Sequence, residues 1–484
     1  MLSEFETMVL MAVGYFQPVT RGELSNIFDK VSRDTIGNLR GAGFIGSGSR
    51  SPTPGAPYTY VTTKHFLSAF GMEELRDLPD IEALEDAGLL SRYAVKEEVA
   101  PILDGCPGAA ERTHRSPFDL RYLAPTFLYR GQHNHFSADA RFLSMKNIGF
   151  LSFGHWSPSP QSGTRSAGDA LLQSIDLAVA AEELGADGAY FRVHHFARQL
   201  ASPFPLLAAV GARTRSIEIG TAVIDMRYEN PLYMAEDAGA ADLIAQGRLQ
   251  LGLSRGSPEQ VINGWRYFGF HPEEGASDAD MGRRHAEVFL EVLKGQGFAE
   301  PNPHPMFPNP PGMLRLEPHS EGLRERIWWG AGSNATAIWA AERGMNLQSS
   351  TLKDDETGEP FHVQQAAQIR AYREAWKAAG HTRQPRVSVS RSIFALVDDR
   401  DRAYFGRGGK EQDSIGYIDD STRAIFGRSY AAEPDVLVEE LVQDEAVTEA
   451  DTLLLTVPNQ LGVEYNAHVI EAILKHIAPA LGWR

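Results

Sequence analysis

From Met145 onward the chain alternates short apolar runs, rich in branched and aromatic residues, with stretches of helical spacing. The runs are Ile148–Phe153, Ala189–Val193, Ile217–Val223, Leu249–Ser254, Ile327–Gly330, Asn346–Ser350, Val387–Leu396 and Thr452–Val457. The clearest helical stretches are Asp169–Leu184, Leu232–Ala245, Arg284–Lys294, Ala335–Glu342, Val363–Ala379 and Tyr465–Ile477. Parallel strands need a crossover, and a helix is the usual one, so this alternation specifies an α/β fold with a parallel sheet. Eight strands in 340 residues fit a (β/α)₈ TIM barrel, which takes ~250 residues or more. An open, doubly wound sheet is the alternative that the same pattern allows.

The first 94 residues are of another kind. Phe5, Met8, Val9, Ala12, Val13 and Phe16 follow helical spacing that stops before Gln17-Pro18. Thr20 and Glu23 form a capping box for a second short helix. Ser32 or Asp34 can cap a third, which ends at Gly41-Ala42-Gly43. Phe44-Ile45 and Tyr58–Thr62, on either side of a Gly/Ser/Pro-rich turn, can pair as a hairpin. Three helices and a hairpin make a small α+β winged-helix domain. Residues 95–144 follow neither period and read as a linker. His133-Asn134-His135 lies there without a third ligand in view, so we expect a solvated loop and no metal.

Composition narrows the function. Apolar residues make up 43% of the chain, enough for a sizeable core. A net charge of −17 argues against general nucleic-acid binding. The one cysteine, Cys106, excludes an intrachain disulfide and a cysteine zinc site, and suits a cytoplasmic location. We expect no signal peptide, because the N-terminus lacks a basic region and carries Glu4 and Glu6. We expect no membrane span either, since no apolar run is long enough.

In a barrel of this kind, chemistry collects at the C-terminal ends of the strands. His194 and His195 end the second run. Neighbours on an extended backbone point to opposite sides, so at most one is the direct catalytic group and the other orients it or supports the loop. Ser254-Arg255-Gly256-Ser257 ends the fourth run, where an arginine can grip phosphate in bidentate fashion. A surface ion pair is the blander reading of Arg255. Gly330-Ala331-Gly332-Ser333-Asn334-Ala335 ends the fifth run and opens a helix, matching the G-x-G-x-x-A dinucleotide fingerprint. However, Met345–Ser350, at the next strand, lacks the acidic residue that would hold a ribose. The segment therefore reads as a mononucleotide phosphate site, with the Ser333 and Thr336 hydroxyls and helix N–H groups as donors. A tight turn for helix packing would explain the glycines but not the polar pair.

These segments resemble the bacterial luciferase-like, flavin-dependent monooxygenases over residues 145–484. Also carrying the resemblance are Glu182-Glu183-Leu184-Gly185-Ala186-Asp187, Ile219–Val223, Ala235-Glu236-Asp237 with Gln246-Gly247-Arg248, and Trp339. The resemblance implies that His194 is catalytic, with His195 beside it. It implies a non-proline cis peptide at Ala222–Val223 beneath the isoalloxazine, and phosphate contacts from Arg255, Gly256, Ser257, Gly332, Ser333 and Thr336. It further implies reduced FMN from a separate flavin reductase, O2 and a small organic substrate; we also expect a homodimer through the barrel. The luciferase itself has glutamate where this chain has Val193 and Gly332, and cysteine in place of Ser254, which points to the broad superfamily and away from light emission. The segment from Asp398 to Asp435 reads as a water-excluding lid or a surface insertion, and Pro301–Pro318 as an irregular loop. A deazaflavin-dependent dehydrogenase on the same barrel, moving hydride without oxygen, is the alternative.

Gln17–Glu23, Pro54–Pro57, Thr62–Leu67, Phe70-Gly71 and Leu75–Pro79 resemble the second winged helix of segregation and condensation protein B, whose first winged helix is absent here. That implies a kleisin-type partner and no direct nucleic-acid contact, in keeping with 8 basic against 12 acidic residues in this part. The other reading of this part is a remnant with no remaining function. A third class of function, an interaction protein carrying an inert barrel, sits poorly with an intact histidine pair and phosphate site.

Overall fold

The computed structural model describes residues 2, 4–27, 31–50, 58–69, 145–256, 260–354, 357–406, 412–417 and 423–484. The expected linker and the last part of the winged helix, residues 70–94, lie outside the described residues. There are two large hydrophobic cores, one drawn from residues 9–66 and the other from residues 148–483.

The N-terminal unit has helices Glu4–Phe16, Arg21–Ile27 and Arg33–Gly41 and a three-stranded sheet in which Tyr58–Thr62 lies between Val19–Thr20 and Ile45–Arg50. The expected capping box is present: Glu23 N–H donates to Thr20 Oγ1 at 3.2 Å, and Thr20 N–H to the Glu23 carboxylate at 2.8 Å. Ser32 caps the third helix through Thr35 N–H. Val9, Val13, Leu24, Leu39 and Phe66 close the core.

The barrel is built from β1 (Asn147–Ser152), α1 (Ala167–Glu183), β2 (Gly188–Phe191), α2 (Pro203–Arg213), β3 (Glu218–Thr221), α3 (Pro231–Ile244), β4 (Leu249–Ser254), α4 (Asp278–Val292), β5 (Ile327–Ala331), α5 (Asn334–Glu342), β6 (Asn346–Ser349), α6 (Phe361–Ala378), β7 (Val387–Arg391), α7 (Pro434–Gln443), β8 (Thr452–Val457) and α8 (Gly462–Ala472). Every neighbouring pair is parallel, β8 lies beside β1, and β4 pairs back onto β3 through Ile219↔Leu249 and Gly220↔Gln250. That last pairing closes the sheet and rules out the open alternative. Among the described residues no helix is long and apolar enough to cross a membrane.

The N-terminal end of the barrel is filled. Arg386 and Glu218 form a bidentate pair at 2.7 and 2.9 Å, Gln250 reaches Glu218 at 3.2 Å, and Trp328 Nε1 donates to Gln250 at 2.8 Å. Above them Leu151, Phe153, Tyr190 and Leu454, with Ala222 against them, form an apolar plug. Such layers make a barrel a packed core and not a pore.

Two expected strand runs are corrected, and the segment from Asp398 gains defined elements. The run Ile217–Val223 breaks after Thr221, where the expected cis Ala222–Val223 peptide is present, and Ile224–Asp225 then resumes pairing with β4. The run Val387–Leu396 divides after Arg391; Ile393–Ala395 pairs with Tyr430–Ala432 outside the barrel. The segment from Asp398 holds a helix, Asp399–Phe405, and a hairpin, Ser414–Tyr417 with Arg423–Phe426, whose second strand pairs with Leu352–Lys353 after β6. That pairing anchors the hairpin to the barrel's β6–α6 connection.

Candidate functional site

At the C-terminal end of the barrel, Ala222 packs on Leu151, Phe153, Tyr190 and Leu454. Val223 packs on Gly330, where an added Cβ would lie 3.0 Å from Val223 Cγ1. A side chain at position 330 would fill the space at the mouth, which is a physical reason for glycine there.

Beyond Gly330 the chain turns into α5. Ser333 is the N-cap, and its hydroxyl accepts from Thr336 N–H at 3.4 Å. Thr336 is buried, and its hydroxyl donates to Ser333 O at 3.0 Å, so it serves the cap at least as much as any ligand. The first-turn N–H groups of a helix have no partner within it, and their dipole favours an anion. Facing this turn is Arg255, at the end of β4, with its guanidinium 3.9 Å from Asp354 Oδ2. Asp354 N–H donates to Gly332 O at 3.3 Å, and Lys353 Nζ donates to Asn334 Oδ1 at 3.0 Å. Arg255, Gly332, Ser333 and Thr336 therefore belong to one neighbourhood. Gly256 has a φ of +98°, and its open side is covered by Arg227, which is tied to Asp225 and Asp278 at 2.6 Å each. Ser257 lies outside the described residues.

His194 and His195 lie in the loop just past the end of β2. Arg192 lies over the Phe153 ring, 4.7 Å from its centroid, and both Arg192 and His194 lie near enough to His155 to add to burial in lowering its pKa. His195 is nine-tenths buried, stacked on Tyr228 at 4.1 Å and meeting Phe268 edge-on at 5.1 Å. Phe268 comes from the Gly264–Phe268 turn, so this cluster ties the β2, β3 and β4 loops together.

Sequence reasoning missed His155. It is buried, two residues beyond Phe153, stacked on that ring at 5.7 Å and 2.6 Å from Gln199 Nε2. Burial, with Arg192 and His194 nearby, lowers its pKa to about 3, so it is neutral at ordinary pH. Its place at a strand end was the available signal. Lys353 and Asp354 carried none, because the hairpin that positions them comes some 70 residues later. Asp398, Asp401 and His468 are close enough together for a metal ion. The Asp401 oxygens, however, already accept from Val397 and Asp398 N–H and from the Tyr465 hydroxyl, and His468 lies against them. This is a helix-capping network.

A model of the luciferase-like monooxygenase family matches residues 151–407, and one of segregation and condensation complex subunit ScpB matches residues 1–81. The alkanal monooxygenase alpha chain of the Kryptophanaron alfredi symbiont is 24% identical over 48% of this chain and 61% of its own length. Segregation and condensation protein B of Pediococcus pentosaceus is 39% identical over 18% of this chain and 45% of its own. The barrel matches span 55–67% of the length of the first curated relatives. The crystal structure of monooxygenase RslO1 from Streptomyces bottropensis superposes with a TM-score of 0.50 at 20% identity, covering 69% of this chain and 99% of that one, which shows a shared fold.

Proposed function

The chain belongs to the luciferase-like monooxygenase family, and from that membership we propose that it uses reduced FMN and O2 to oxygenate a small organic substrate. The observation that carries the FMN reading is the anion cradle: Arg255 and the Gly332–Ser333 start of α5 meet around Asp354. When bound, reduced flavin supplies the electrons that let one atom of O2 enter the substrate while the other leaves as water. Arg255 and the α5 N-terminus grip the terminal phosphate. Val223 and Ala222 support the ring, and the apolar plug below keeps water out. His194, just past the end of β2, holds or releases a proton at the mouth. A separate flavin reductase delivers the reduced cofactor.

The test is a titration under argon with reduced FMN and with reduced F420, followed by admission of O2 in the presence of a flavin reductase. FMN should bind, and O2 uptake should follow. Preference for F420, with hydride transfer that needs no O2, would establish the deazaflavin dehydrogenase instead.

The N-terminal unit supports a second role. A closed core and the match over residues 1–81 favour a winged helix that binds a kleisin-type protein. Mixing the tagged chain with a purified kleisin subunit tests this; failure to co-elute would leave the unit a remnant.

A further inference from the structure

One charged group in the anion cradle has the wrong sign. Asp354 follows the two-residue strand Leu352–Lys353, which the inserted hairpin fixes through Leu352↔Phe426 and Lys353↔Ile425. Its Oδ2 is 3.9 Å from the Arg255 guanidinium. Its Oδ1 is buried, has no hydrogen-bond partner among the described residues, and lies 3.6 Å from where a Cβ on Gly332 would stand. Lys353, the nearest cation in sequence, is directed to Asn334. A carboxylate thus occupies a shell whose other members, an arginine and a helix N-terminus, are suited to an anion.

A buried carboxylate oxygen without a donor is unfavourable, and so is a carboxylate beside a phosphate. Both costs are relieved if the group moves. We propose that Asp354 is an internal competitor for Arg255. In the empty cradle its carboxylate holds the guanidinium. The arriving cofactor phosphate takes the guanidinium over, and the carboxylate swings out past Gly332, which has no side chain to block it. Cofactor exchange is then a swap of one anion for another. The cradle holds its cofactor less tightly than Arg255 and the helix start alone would, which suits a protein that must accept reduced cofactor and give up the oxidised form at every turnover. This inference rests on the FMN reading above.

The test uses the full chain and three probes: FMN, riboflavin, which lacks the phosphate, and inorganic phosphate as a competitor. Affinities are read by flavin fluorescence for the wild type, Asp354→Asn, Arg255→Ala and the double variant. Asp354→Asn should tighten FMN binding by about tenfold, equivalent to about 1.4 kcal/mol. Riboflavin binding should not change, and the inhibition constant of inorganic phosphate against FMN should fall by a similar factor. In the Arg255→Ala background the gain should shrink, because the two residues act on one another. A thermal melt checks folding, and Asp354→Ser repeats the measurement with a smaller side chain. The proposal is overturned if both Asp354 variants bind FMN no better than wild type, if riboflavin gains equally, or if the gain is undiminished without Arg255. Weaker FMN binding in both variants would make Asp354 an orienting partner of Arg255. The FMN reading itself fails separately, if wild type and Arg255→Ala bind FMN alike.

Discussion

His194 and His195 share a backbone segment but not an environment. His194 lies near His155, while His195 is stacked on Tyr228. His194→Ala should keep FMN binding and lower turnover by about 10²–10⁴-fold. His195→Ala should lower the melting temperature and leave most of the chemistry, since it removes a packed ring. The opposite pattern, in steady-state rates and melts of the two variants, would reverse the roles. Glu229, just beyond β3, provides a pH prediction. Burial, with Asp225 and Asp237 nearby, pushes its pKa from 4.5 up to about 7. A carboxyl raised in the fold favours folding most below its unfolded pKa, and that contribution is lost as pH rises from 4.5 through about 7. Glu229→Gln should therefore be more stable than wild type at pH ~8, by about 1–3 kcal/mol, and no more stable at pH ~4. Melts at the two pH values decide it; equal differences at both would refute it. Strand-end position made Arg255 and the histidines legible in the sequence. Asp354 was not legible, because what makes it notable is its distance to Arg255, set by pairing between distant segments.

At the scale of elements, the loop after β1 and the loop carrying the histidines are laced together. Trp156 N–H donates to Arg198 O at 3.2 Å, and His194 N–H donates to Leu200 O at 2.9 Å. Gly154 has a φ of +65°, and an added Cβ would overlap the Leu200 side chain. Gly154→Ala should therefore cost about 1–3 kcal/mol of stability and shift the histidine loop, lowering turnover more than FMN affinity. A melt together with a comparison of kcat and Kd checks it; unchanged values for all three would mean the loops tolerate separation. All eight barrel strands were legible in position, the clearest because a buried parallel strand is a nearly continuous apolar run, although β6 carries a single apolar residue, Leu347. The helix α2 was not, since Pro203 and Pro205 at its start hide its period, although proline is acceptable in a first turn. The polar residues before strands also have local work. The Glu182 carboxylate accepts from the N–H groups of Arg215, Ser216 and Ile217 ahead of β3, and Asp187 from Ile148 N–H in β1. Spacing alone could not reveal those partners.

At the scale of the molecule, the two large cores share no residue: one draws on residues 9–66, the other on residues 148–483. A chain shortened to begin at Met145 should therefore melt at nearly the barrel's own temperature and bind FMN as the whole chain does. Parallel melts and titrations test this. Aggregation, or loss of FMN, would mean that the first 144 residues complete the barrel. The ion pair of Arg386 and Glu218, with Trp328 and Gln250 beside it, carries a consequence for traffic. That end of the barrel is a floor, so among the described residues the way in along the barrel axis is through the mouth. Whatever settles deepest must enter first and leave last. A substrate resting above a cofactor detains it, and a slow-leaving product delays the next round however fast the chemistry is. The order of arrivals and departures is thus written into which end of the barrel is shut.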